Sequence, residues 1–429
     1  MAVSQGFPNS LALFHRPPTD TAIEKRYWAE YKPSNQLSSV LEFSIPSSSS
    51  YIDLKQTRLH VKARLLNADG TTLGKVPAGT VAPKLRVAPV NNLLSSLWAQ
   101  VDVFIQGRHV SPSTGNSYPY KAFWDIMLNY GGDAFNSQLQ TQMLTADTNL
   151  DETDPYQGKN DGLNKRANIT AESAPFVLAG PIYHDLFQQS RLLLNDVPLN
   201  LKFWPTSEKF RIIAFDKTKE YKIEIMDAHL KICHVKVSPE VVLAQNALLK
   251  TVPALYPYQR SDILTYAMPK GAFNYTIEDL YQGEVPNRVL VGIVSSEAVN
   301  GSFQKNGLHF ENVNLNYIDL QVEGESRPQR ALTPDYKRND HLDCYLSLFS
   351  EKYMKDAGLN ISYKDYKQNG FTWYLFDLKG ERHSMLKRRG HTRLELRFAE
   401  GLKESYTLFV YSQADGLMKI DQTRNVYLE

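Results

Sequence analysis

Apolar and polar residues alternate with a period of two at one place after another along this chain. Leu59, Val61, Ala63 and Leu65 alternate with His60, Lys62 and Arg64, the pattern of a strand buried on one face. Asn67-Ala-Asp-Gly70 then supplies a turn. Val101, Val103 and Ile105 alternate with Asp102, Phe104 and Gln106 until Gly107 breaks the run. Further strands are predicted at 176–178, 198–204 and 210–215, and a long one at 221–237. The apolar phase of that long strand slips near Asp227-Ala-His229, which predicts a bend or bulge. The same vocabulary returns at 263–268, 288–295, 314–322, 371–378, 393–398 and 406–411.

Helical spacing is rarer. Phe123, Trp124, Met127 and Leu128 recur at the helical period, and Gly131-Gly132 stops the run. Pro239 opens a short apolar helix that runs towards Lys250. Leu342, Tyr345, Leu346 and Phe349 predict a third helix within 340–353. Residues 133–175 are polar, with acids at Asp147, Asp151, Glu152 and Asp154, and predict a long exposed excursion. Many short strands with few inserted helices, and no regular strand–helix alternation, point to an all-β sandwich or jelly roll.

The halves of the chain also echo each other. Val101-Asp-Val-Phe-Ile-Gln-Gly107 is matched by Ile318-Asp-Leu-Gln-Val-Glu-Gly324. Each is followed by a linker and then by Pro119-Tyr-Lys121 or Pro334-Asp-Tyr-Lys337, read as the opening of a helix. Downstream, Pro198-Leu-Asn-Leu-Lys-Phe203 is matched by Arg393-Leu-Glu-Leu-Arg-Phe398. From Gly107 to Phe203 is 96 positions and from Gly324 to Phe398 is 74, so the first copy is longer by 22, where the 133–175 excursion falls. One whole domain repeated once is a tandem duplication; a solenoid would repeat every ~20–50 residues.

Composition narrows the function. A chain of 429 residues is comfortable for two domains, and 42% apolar residues suffice for two cores. Basic and acidic side chains number 48 and 46, so no basic excess marks a nucleic-acid wrapper. The two cysteines, Cys233 and Cys344, form neither a disulfide framework nor a multi-cysteine zinc site. No charged-then-apolar leader opens the chain and no apolar run approaches a bilayer span, which predicts a soluble cytosolic or nuclear protein. The sequons at Asn168, Asn274, Asn300 and Asn360 then read as chance matches.

No stretch carries a catalytic constellation. Gly70-Thr-Thr-Leu-Gly74-Lys75-Val76 has its glycines one residue too close for a phosphate loop, and Val76 cannot hold magnesium; a hairpin turn is the better reading. Asp340-His341-Leu342-Asp343-Cys344 contains metal-ligand types but reads as a polar helix face with a buried thiol. Cys233 and His234 adjoin on a strand and point to opposite faces. His184-Asp185 lacks a third group and reads as a turn. Lys387-Arg-Arg389, Arg393 and Arg397 read as a solvated basic sheet face. No catalytic, cofactor or metal residue is assigned, and the chain is expected not to be an enzyme.

Four stretches carry a family resemblance. They are Pro17-Pro-Thr-Asp-Thr-Ala-Ile23 with Tyr27-Trp-Ala-Glu-Tyr-Lys-Pro33, and Tyr51 through Ala63. The others are Val87 through Trp98 running on to Ser117-Tyr-Pro-Tyr-Lys121, and Tyr256 through Phe303. The chain resembles the major capsid protein of Polinton/Maverick elements and adintoviruses, related in architecture to adenovirus hexon. The resemblance implies a double jelly roll of two tandem eight-stranded antiparallel sandwiches with short inserted helices. It implies an N-terminal arm at 1–35, a first jelly roll at 36–238, a linker helix at 239–252 and a second jelly roll at 253–429. Three chains would form a pseudo-hexameric capsomer that tiles an icosahedral DNA-virus shell, with penton and minor capsid proteins as partners. Such a protein resides in the virion, assembled in nucleus or cytoplasm, and needs no cofactor, sequence-specific nucleic-acid binding or membrane span. The aromatic residues Tyr27, Trp28 and Tyr31 are the candidate inter-subunit contacts of the arm, and 133–175 would stand at the outer, tower end. The alternative is a non-enzymatic carbohydrate- or receptor-binding β-sandwich.

Overall fold

The computed structural model describes residues 22–35, 37, 40–74, 86–111, 117–150, 152–281, 283–328, 330–349, 358–379 and 390–429. The predicted alternation becomes nineteen strands among these residues. Those of the first half are β1 (Ile23–Tyr31), β2 (Leu41–Ile45), β3 (Tyr51–Asn67), β4 (Val87–Pro89), β5 (Trp98–Ile105), β6 (Arg108–His109), β7 (Phe176–Pro181), β8 (Leu199–Pro205), β9 (Ile212–Ala214) and β10 (Tyr221–Val237). Those of the second are β11 (Ala254–Met268), β12 (Asn274–Ile277), β13 (Arg288–Ser295), β14 (Leu315–Val322), β15 (Glu325–Ser326), β16 (Trp373–Asp377), β17 (Thr392–Phe398), β18 (Tyr406–Ile420) and β19 (Val426–Leu428).

The strand order repeats. The first half pairs β1-β10-β3-β7 in one sheet and β2-β8-β5-β6 in the other. The second pairs β11-β18-β13-β16 and β12-β17-β14-β15. With the small β4-β9 pair and β19 set aside, each half has eight strands, ordered first-eighth-third-sixth and second-seventh-fourth-fifth. Two antiparallel sheets in that order make a jelly roll, and there are two of them. Side-chain alternation builds each core: Leu59, Val61, Ala63 and Leu65 of β3 are buried, while His60 and Arg64 between them are half-buried and Lys62 is exposed.

The sequence echo has a structural cause. Gln106 and Gly107 have φ of 52° and 73°, and Glu323 and Gly324 have 55° and 79°. Two consecutive positive φ values make the tight hairpin turn that twists with its strands, and glycine relieves the second position. Five residues before each glycine sits a buried aspartate. Asp102 accepts from Gln100 Nε2 at 2.6 Å and Trp204 Nε1 at 2.7 Å, and lies 3.2 Å from His109 Nε2. Asp319 accepts from Gln321 Nε2 at 2.8 Å and Ser326 Oγ at 2.9 Å. His109 and Ser326 both stand two residues beyond their glycine, so the carboxylate ties the same hairpin in each copy.

Pairing corrects the second echo. Asp102 faces Lys202 while Asp319 faces Glu395, so Phe203 corresponds to Leu396 and not to Phe398. A displacement of two keeps every side chain on its face, and pattern alone therefore cannot see it.

Other expectations change too. Residues 23–31, placed in the arm, are the first strand of the first jelly roll and pair with β10; 1–21 lie outside the described residues. The Pro334-Asp-Tyr-Lys337 segment is a turn, and the helix after it covers only Leu342–Leu346; 350–357 fall outside the described residues. The slip expected in β10 is real: its register shifts between Ile225 and Asp227, and again between Lys231 and Cys233. The linker helix runs Pro239–Leu248.

The 133–175 excursion is a folded cap. It contains helices Gly132–Phe135 and Asp161–Ile169 and two 3-10 turns, and it packs beside β4. Its anchor is Arg166, only 1% exposed, whose Nη1 lies 2.9 Å from Asp147 Oδ1, itself 1% exposed. Arg166 Nε also donates to the Pro89 carbonyl at 2.9 Å. Asp154, expected on the surface, is buried and pairs with Arg86 at 3.1 Å. Asp147→Ala strands a guanidinium in the interior, and should lower stability by about 3–5 kcal/mol, measured by chemical denaturation. A loss under about 1 kcal/mol would mean the cap is not anchored there.

Candidate functional site

The three candidate contact residues lie on β1, which forms one edge of its sheet. Tyr27 stacks on His234 with centroids 5.3 Å apart and places its hydroxyl 3.2 Å from Ser50 Oγ. Tyr31 places its hydroxyl 2.9 Å from His234 Nε2. Both tyrosines are engaged within their own domain. Trp28 faces the other way, 47% exposed, with the Arg58 guanidinium 5.8 Å from its ring centroid. Of the three, Trp28 offers the most surface to another molecule.

The larger feature, which sequence reasoning missed, is the seam between the jelly rolls. Helix Tyr118–Asn129, inserted between β6 and β7, is buried along almost its whole length. Tyr120, Phe123 and Trp124 lie on the second domain. The Tyr120 ring is 4.1 Å from that of Phe409, and Trp124 is 5.2 Å from Phe310 and 5.4 Å from Tyr411. Phe123 meets Trp373 edge-on at 5.9 Å. Phe409, Gly292 and Trp373 are cross-strand neighbours on β18, β13 and β16, so they share the outward face of that sheet. Gly292 must lack a side chain: a Cβ there would come within 2.6 Å of the Phe310 ring. The sequence signal was helical spacing of aromatic residues, which says that a helix is buried but not against what.

Polar groups fix the alignment of the seam. Lys121 Nζ lies 2.6 Å from Asp125 and 3.1 Å from Asp185. Tyr411 donates to Asp125 at 3.0 Å, and Ser261 of β11 donates to Asp185 through Oγ at 2.6 Å and through its amide at 2.8 Å. Burial would push the Lys121 ammonium down, but the two carboxylates outweigh it and hold it above its ordinary value. The third group that the sequence could not supply for His184-Asp185 is therefore Lys121, in a structural network. His184 itself caps helix Asp185–Gln188, accepting from the Leu186 amide at 3.3 Å, with Ser111 Oγ 3.0 Å from its other nitrogen.

The remaining candidate chemistry resolves into packing. His341 is sandwiched between Tyr336 and Tyr363, with ring centroids at 5.2 and 4.5 Å. Burial pushes the Cys344 thiol up to about 12, far from a reactive thiolate. Cys233 is likewise buried, on the opposite face from His234. Arg393 and Arg397 pair with Glu278 and Glu395 on a sheet face, while Lys387, Arg388 and Arg389 lie outside the described residues. Gly70 closes a turn on the Asn67 carbonyl, and Lys75 and Val76 lie outside the described residues. Among the described residues no group of three or more His, Cys, Asp or Glu could hold a metal, and no helix is long and apolar enough to cross a membrane.

Comparison with solved structures decides what this architecture is. Over its whole length the chain superposes on 93% of a chain of the Sputnik virophage, with TM-score 0.67 and 11% identity. It superposes equally completely on 94% of the mavirus major capsid protein, with TM-score 0.55 and 10% identity. For the Faustovirus major capsid protein the values are 95% of this chain, 92% of that one, TM-score 0.53 and 10% identity. The fold is that of the double jelly-roll major capsid proteins. At such low identity this is a statement about architecture. No family model matches the chain. In sequence it is 24% identical over 425 residues to the Caenorhabditis elegans "Uncharacterized protein F54H12.2", covering 95% of this chain and 98% of that protein.

Burial pushes the His184 imidazole down to about 4, against the pull of Asp185. In the unfolded chain it titrates near its ordinary 6.5. The unfolded state therefore takes up a proton between these values and the folded state does not. Stability is full above pH ~6.5, falls as pH drops towards 4, and has lost roughly 3 kcal/mol from this group by then. Denaturant titrations from pH 7 to 4 should show this slope in the wild type and a shallower one in His184→Gln. Equal slopes would mean that the imidazole is not held neutral.

Proposed function

We propose that this chain is the major capsid protein of a Polinton/Maverick or adintovirus-like element, a structural protein without catalytic activity. Three copies form a pseudo-hexameric capsomer, and capsomers tile an icosahedral shell. The observation that carries this reading is the duplication itself: two jelly rolls of identical strand order fixed to each other in one chain. Three such chains present six similar corners, which a hexagonal lattice needs and a monomeric binding module does not. Near-neutral net charge lets many copies pack closely without strong mutual repulsion.

Penton and minor capsid proteins are the expected partners, the virion is the expected location, and assembly takes place in nucleus or cytoplasm. A full-length relative in a nematode fits an element carried in an animal genome. The arm expected at the capsomer base does not include 23–31, which belong to the sheet.

Light scattering after gel filtration, with negative-stain microscopy of the same fractions, tests the proposal. The expected particle has three times the 48.8 kDa chain mass and a hexagonal outline, or assembles into closed shells. A chain that stays monomeric at all concentrations and binds glycans would overturn it in favour of a carbohydrate- or receptor-binding sandwich.

A further inference from the structure

The linker helix Pro239–Leu248 is built inside out. Its polar residues turn inward: Gln245 Oε1 accepts from the Tyr51 hydroxyl at 2.6 Å, and Asn246 Oδ1 accepts from Arg424 Nη2 at 3.4 Å. Val242 packs on the core beside them, and Leu249, just past the helix, is buried. The opposite face carries Leu243, Ala244, Ala247 and Leu248, all exposed, with the two leucines at 70% and 64%. No residue of the helix itself is buried. A surface helix ordinarily turns its apolar stripe to the core, so one that turns it to solvent marks a contact with another surface. Val252 and Leu255, also exposed, extend the patch past the helix end.

We infer that this face pairs with the same face of a second copy of the chain, the two helices lying antiparallel across a two-fold axis. The inference goes beyond the capsomer reading, because it stands on this helix and not on the number of chains in a capsomer.

Size and charge select a second copy as the partner. At 3.6 residues per turn, Ala244 and Ala247 run along the middle of the exposed face, with Leu243 on one flank and Leu248 on the other. Two small residues in the middle let a second helix approach closely. A two-fold axis near residue 245 then sets Leu243 of one helix level with Leu248 of the other on opposite flanks, so that the four leucines interleave rather than collide.

The charges fall into place under the same axis. Glu240, in the first turn, and Lys250, just beyond the last, are both exposed, and neither forms an ion pair among the described residues. They stand five residues to either side of the axis, so Glu240 of each helix meets Lys250 of the other. A parallel pair would bring like charges together at both ends, and would align the helix dipoles as well. A lipid surface fits less well, because Glu240 stands on the line of Ala244 and Ala247 and would be buried there without a cation. A helix of ten residues offers less than the roughly 800 Å² per partner of a standard interface. One such pair is therefore weak, and the contact gains strength by repetition between units that each carry several copies.

Full-length protein carrying Ala247→Cys tests this under mild oxidation, since native Cys233 and Cys344 are buried. Position 247 lies near the axis, so thiols of two copies should join, and denaturing gels should show chains linked in twos. Lys250→Cys, whose two copies lie at opposite ends of the pair, should stay unlinked. In the Ala247→Cys background, Glu240→Lys or Lys250→Glu alone should lower the yield of pairs roughly fivefold or more, and both together should restore it. A role confined to the fold of the single chain would give no such rescue. Absence of pairs from Ala247→Cys, linkage through Lys250→Cys, or a double reversal no better than either single one would overturn the inference. Light scattering of the same samples tells the two proposals apart. Trimers without linked pairs would leave the capsomer standing alone, and linked pairs without trimers would leave only this contact.

Discussion

Trp124, wedged between Phe310 and Tyr411, is the point at which one jelly roll becomes part of the other. Around it the rings of Tyr120, Phe123, Phe409 and Trp373 lie edge-on or tilted at 4.1 to 6.4 Å. Such aromatic pairs are each worth roughly 0.5–1.5 kcal/mol beyond the area they bury. Several together, with the burial of a helix along almost its whole length, outweigh what an ordinary contact between domains would supply. Gly292 follows from this, because only a residue without a Cβ lets Phe310 close over the sheet. The ionic network of Lys121, Asp125 and Asp185 adds little net stability, since burying charges costs about as much as their attraction returns. Its effect is directional: Tyr411 and Ser261 can reach their carboxylates in only one alignment of the domains.

As the capsid tile proposed above, the chain would have to hold its shape while its edges are loaded by neighbours. If the domains could hinge, the six corners of a capsomer would not stay equivalent. The rest of the chain's interior is equally committed to packing. Its buried titratable groups, among them His184, His341 and Cys344, are held by packing or capping in states that suit folding rather than reaction.

Much of the fold was legible in the sequence because strands and tight turns are local. The period-two runs, the Gly107 and Gly324 hairpins and the slip in β10 can all be read without knowing what the chain touches elsewhere. What could not be read depended on distant partners. Arg166 and Asp147 are nineteen positions apart in a polar stretch, and only their pairing makes that stretch a folded cap. Strand β1 looked like an arm because an edge strand is exposed on much of its surface, so Arg26, Tyr27 and Trp28 lack alternation. The two-residue error in matching Phe398 to Phe203 arose because a shift of two preserves the pattern. Trp28, the candidate contact, is the most exposed of the three β1 aromatic residues, whereas Leu342 and Leu346, placed on a helix by their spacing, stand half-exposed in the structure.

The central claim is that the seam makes the two jelly rolls one cooperative unit, and scanning calorimetry of the dissociated chain tests it most directly. The account predicts a single transition whose calorimetric and van't Hoff enthalpies agree. Two resolved transitions, each with about half the total heat, would show that the domains unfold independently and would contradict it.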